Sequence, residues 1–62
     1  MKYNDLVRTL KKAGWLIEHG GNHDIAINPQ KPALRIPLPR HKEVNEYTAR
    51  TILKAAGIGK EP

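Results

Sequence analysis

Apolar positions along the chain fall into two spacings. Leu6, Val7, Leu10 and Ala13 recur at i, i+1, i+4 and i+7, the stripe of an amphipathic helix over residues 4–13. Asn4 is the expected N-cap, with Asp5 favourably placed at the positive end of the helix dipole. Gly14 then supplies a left-handed stop and Trp15 its hydrophobic clasp. Ala49, Ile52, Leu53 and Ala56 repeat the helical spacing, which predicts a second helix over 46–56. Asn45 caps its start, and Gly57 and Ile58 end it as Gly14 and Trp15 end the first.

Between the helices the period shortens to two. Residues 15–19 read as a first strand and 23–28 as a second, with Gly20, Gly21 and Asn22 as a turn whose residues tolerate positive φ. Strict alternation puts His23, Ile25 and Ile27 on one side of the second strand, and Asp24, Ala26 and Asn28 on the other. The isoleucines mark the first side as the expected core side. Pro29–Pro32 forms another turn. Residues 33–37 make a third strand, with Leu34 and Ile36 on one face, stopped by Pro37 and Pro39 at a sheet edge. The order is α-β-β-β-α. It predicts an α+β two-layer sandwich of the double-stranded-RNA-binding type, a three-stranded antiparallel sheet with both helices on one face and the other face wet. Residues 1–62 form one domain, with 59–62 expected as a frayed tail.

Length and charge sharpen this picture. A 62-residue domain buries only about 60% of the surface its unfolded chain exposes, so its core is thin. There is no cysteine to supply a disulfide or a thiolate metal site. Eleven Lys and Arg against six Asp and Glu give a net charge of +5, which favours a polyanionic partner such as nucleic acid. No apolar run approaches a membrane span and the N-terminus carries no signal-peptide core, so a cytoplasmic location is expected.

The chemistry-bearing residues are few. His23 follows the glycine corner and can exchange a proton near neutrality. The glycines before it leave room for a ligand backbone, with Gly21 and Asn22 as candidate RNA contacts; the bland reading is a histidine at the edge of the core. His19, His23 and Asp24 invite a metal, but no further ligand cluster accompanies them, and neither metal nor cofactor is expected. Arg35, Arg40, Lys42 and Arg50 are candidate phosphate contacts, since cationic side chains neutralise phosphates without reading sequence. His41, in the basic loop 40–42, is either a solvated loop residue or a second proton-transfer group. No P-loop, dinucleotide fingerprint or Ser-His-Asp spacing is present.

Four collinear stretches, "LVRTLKKAGW" at 6–15, "GGNHDIAINP" at 20–29, "LRIPLPRHKEV" at 34–44 and "YTARTILKAAGI" at 47–58, span nearly the whole chain. In them the sequence resembles the HicA family of small mRNA-interferase toxins. That resemblance implies the α-β-β-β-α fold, endoribonuclease activity, a type II toxin–antitoxin pair and a HicB antitoxin through which alone DNA is contacted. It implies that His23 is the catalytic histidine after the glycine turn. Asn22 stands where the family usually has serine and can likewise hydrogen-bond backbone or phosphate. Tyr47 replaces a glycine often found before the threonine of the last helix. The leading expectation is thus a metal-independent, RNA-cleaving toxin acting on mRNA to inhibit translation. The alternative is a non-catalytic RNA-binding module of the same fold.

Overall fold

The computed structural model describes residues 1–58. In chain order the elements are α1 (Tyr3–Lys12), β1 (Leu16–His19), β2 (Asp24–Ile27), β3 (Arg35–Leu38) and α2 (Glu46–Ala55). The three strands form an antiparallel sheet in the order β1-β2-β3. Helix α1 packs against β1 and α2 against β3. Both helices join one core of Leu6, Leu10, Trp15, Ala26, Ile36, Leu38, Val44, Ala49, Ile52 and Ala56. This is the expected sandwich. The expectation of a frayed tail concerns residues outside the described ones.

Both helix ends follow the glycine logic. Gly14 and Gly57 have φ of 97° and 76°. Beyond them the N–H of Trp15 donates to the Leu10 carbonyl at 3.0 Å, and that of Ile58 to Leu53 at 2.8 Å. These bonds close the last turn of each helix. Asn45 caps α2 as expected, its side-chain oxygen accepting from the N–H groups of Tyr47 and Thr48. The start of α1 differs: its N-cap position is Lys2, with no side-chain cap, and Asn4 lies inside the first turn. A tertiary contact replaces the cap. The Tyr3 N–H donates to the Lys42 carbonyl at 3.0 Å, and Lys2 bridges to Glu43. Met1 completes this seam, its amino group bonding Glu43 Oε2 and its carbonyl accepting from Val44 N–H. Ala13 is exposed, because α1 ends one residue earlier and the chain is already turning.

The largest correction is the phase of β2. Asp24 and Ala26 are buried under the helices, while Ile25 and Ile27 are half-buried on the opposite face and His23 is exposed. The register explains it. Ala26 sits across from Ile17 and Ile36, and Asp24 across from His19 and Leu38. Residues directly opposite share a face. Ile36 and Leu38 alternate into the core, so β2 must present Ala26 and Asp24 there. A small residue at the middle of the central strand lets two helices lie close above it. On the open face stand Leu16, Glu18, Ile25, Ile27, Arg35 and Pro37. That face is therefore not fully polar.

Strand boundaries shift accordingly. Trp15 is core but precedes β1, His23 and Asn28 flank β2, and β3 runs Arg35–Leu38. Leu34 lies before β3 and is exposed, and Leu38 takes the core position beside Ile36. Pro37 does not stop the strand; it sits within it, tolerated on an edge. The turn after β2 forms as expected, with Asn28 Oδ1 accepting from the Gln30 N–H.

Candidate active site

The site is built at the end of the sheet where β1 turns into β2. His19 and Asp24 face each other as the last pair of the ladder, and Gly20, Gly21, Asn22 and His23 span the gap. None of these four adopts positive φ, so the expected left-handed turn is not used. Gly20 serves another need. Its N–H donates to the His23 carbonyl at 3.1 Å, and a Cβ there would come within 3.2 Å of that same oxygen. Gly21 is open, with nothing within 4 Å of a Cβ position. Asn22 and His23 are exposed. Because β2 buries Asp24, alternation turns His23 away from the helices and into solvent.

Asp24 is the hub beneath this turn. Its side chain is 5% exposed. Oδ2 accepts from the Tyr3 hydroxyl, and Oδ1 accepts from His19 Nδ1 at 3.0 Å and from Arg40 Nε at 2.9 Å. An ionised carboxylate can only accept, so the His19 proton on this side sits on Nδ1. The Tyr3 hydroxyl and the His19 ring, with Arg40 beside them, hold the Asp24 carboxyl down at about 2 against burial, which acts the other way. Burial, then the bond to Asp24 and its negative charge, push the Tyr3 phenol up to about 12. A second Arg40 bond runs from Nη2 to the Gly20 carbonyl at 2.5 Å.

Arg40, His41 and Lys42 line one cleft with Lys2, Tyr3 and Asn4, of about 320 Å³. Four of those six side chains carry or can carry positive charge. The basic loop expected from the sequence is thus gathered against the start of α1, and Arg40 joins the cleft to the glycine turn. Arg35 and Arg50 are not part of this cleft. Arg35 lies at the far end of the sheet opposite Ile27, about 10 Å along β2 from Asp24, and meets Glu18 at 3.5 Å. Arg50 is on the exposed side of α2, near Tyr47 and Lys54. His19 and His23 do not pair: the first is held by Asp24, and the ring of the second is outside that network. Among the described residues no three His, Asp or Glu side chains converge as ligands for a metal ion. No helix there is long and apolar enough to cross a membrane.

Sequence reasoning missed the Tyr3–His19–Asp24–Arg40 network. The register carries the answer: Ala26 lies opposite Ile36 and Asp24 opposite Leu38, and since both β3 residues are core, β2 buries Ala26 and Asp24. A buried aspartate then demands partners.

No curated protein and no solved structure gives a significant match to the chain. A family model does, that of the HicA toxin of bacterial toxin–antitoxin systems, over residues 3–58. That span takes in every described element, from the first residue of α1 to the clasp after α2, and with it the glycine turn, the buried hub and all of the basic cleft but Lys2. The chain belongs to the HicA toxin family, and so is a toxin whose system pairs it with an antitoxin.

Proposed function

We propose that this toxin is a metal-independent endoribonuclease that cleaves mRNA with His23 as its catalytic residue. The observation that carries this reading is the exposed His23 imidazole at the head of the central strand, on a turn that Arg40 ties to a cationic cleft. RNA supplies its own nucleophile. The 2′-OH attacks the adjacent phosphorus while His23 takes its proton or delivers one to the leaving group. The bond from phosphorus to the 5′ oxygen breaks. A proton ends on that oxygen, leaving a 2′,3′-cyclic phosphate and a 5′-hydroxyl. Lys42, at the cleft, offsets charge developing on the phosphoryl oxygens. His41 in the same cleft is the candidate for the second proton transfer. Gly21 and Asn22 leave space for the RNA backbone, and Arg35 and Arg50 extend the cationic surface outward. The antitoxin is a HicB protein that covers the basic face with acidic groups. The toxin then acts in the cytoplasm, on translated RNA, and meets DNA only through that antitoxin.

The deciding experiment is RNA cleavage in excess EDTA by the native chain and by His23→Ala. Cleavage by the native chain, reduced about 10²-fold or more in the variant, is expected. His23 is exposed, so the variant should keep the native stability within about 0.5 kcal/mol. RNA binding without cleavage by either protein would instead favour the non-catalytic module.

A further inference from the structure

We infer that Asp24 and Arg40 are positioning residues that fix the turn carrying His23, an inference that rests on His23 being the catalytic group. The connection is continuous. Arg40 donates from Nε to Asp24 and from Nη2 to the Gly20 carbonyl. Gly20 in turn donates its N–H to the carbonyl of His23. Asp24 is covalently next to His23 and is anchored to α1 through Tyr3 and to β1 through His19. The turn is therefore gripped at both ends by one guanidinium–carboxylate pair.

Folding alone gives little reason for this pair. Asp24 occupies a core position of the central strand, and a buried ion pair is often no more stabilising than apolar residues of similar volume. An apolar side chain at 24 would extend the core formed by Ala26, Ile36 and Leu38. It would leave Arg40 without its carboxylate and the Gly20 carbonyl without a fixed donor. The charge makes sense as a brace. A proton-transfer group must sit within hydrogen-bond reach of the reacting oxygen, and a misplacement of about 1 Å can cost about 10²-fold in rate. Arg40 suits this role because its planar fork bonds two acceptors at once, which a lysine cannot do.

The test compares Arg40→Lys and Asp24→Asn with the native chain by RNA-cleavage kinetics and by NMR of the backbone amides of residues 20–23. Arg40 is 45% exposed, so Arg40→Lys keeps the charge and the fold while losing the fork. The expected result is a kcat lowered about 10- to 100-fold with KM within about 2-fold. It should be accompanied by loss of ordered signals at Gly20–His23. Asp24→Asn should shift the same amides and lower kcat in the same direction. If Arg40 merely contacts RNA phosphate, Arg40→Lys will raise KM, hold kcat and leave the amides unmoved, which overturns the inference alone. A native chain that cleaves no RNA overturns the reading of His23, and this inference with it. Should Asp24→Asn fail to fold, Arg40→Lys decides by itself.

Discussion

At the scale of single residues, the unusual feature is an ionised aspartate where a strand would ordinarily place a hydrophobe. Asp24 is tolerated because its carboxylate accepts three hydrogen bonds, from α1, β1 and the loop after β3. Its folded carboxyl sits at about 2, below the ordinary value of 3.8. Because the folded value is the lower one, this group's contribution is complete above pH 3.8. It drains away as the solution is acidified towards pH 2. Urea unfolding midpoints measured across that window should fall steeply for the native chain and less steeply for Asp24→Asn. Equal slopes would mean that the hub is not ionised in the folded protein. Tyr3 follows the opposite sign. Its raised value means that the neutral phenol is the form the fold keeps, up to about pH 12.

At the scale of elements, both helices were legible because each carries its own periodicity and its own stop. Leu6 and Leu10, or Ala49 and Ile52, need no knowledge of the rest of the chain to declare a buried face. What is set from outside the element was illegible. The start of α1 is fixed by the Lys42 carbonyl, thirty-nine residues beyond Tyr3, so Asn4 looked like a cap and is not one. Alternation in β2 showed two faces without showing which one is covered. The isoleucines argued for one side. The partners that make Asp24 acceptable on the other lie 5, 16 and 21 residues away in sequence. His23 was legible as a candidate, and its exposure followed only once that phase was known. The glycines also divide by element. Gly57 at φ 76° ends a helix, whereas Gly21 has no positive φ and open space around it. Gly57→Ala should therefore cost about 1 kcal/mol or more, and Gly21→Ala no more than about 0.5 kcal/mol, read from thermal or urea unfolding. Comparable losses at both sites would show that the turn needs glycine for its backbone.

At the scale of the whole molecule, charge and sheet face divide the surface. The cleft of Lys2, Arg40, His41 and Lys42 lies at one end, while Arg35 and Arg50 are spread over the open sheet face and the outer side of α2. On the proposed function, RNA meets the cleft, and Lys42 is the contact expected to matter most. Lys42→Ala is expected to lower affinity and to reduce the log–log salt slope by about 1, with smaller changes for Arg35→Ala and Arg50→Ala. Equal changes at all three would mean that RNA wraps the domain. The sheet also has two unequal margins. On β3, Pro37 lacks an N–H and Pro39 follows it, so this margin offers a poor template for another strand. β1 has no proline, and exposes Leu16 at its outer side with Glu18 partly offset by Arg35. A net charge of +5 keeps such margins apart by mutual repulsion. Salt screens that repulsion by the same physics that would release RNA bound as proposed. Raising the ionic strength to strip any bound nucleic acid therefore also brings β1 of one copy within reach of β1 of the next, and the same step that cleans a preparation moves it towards aggregation.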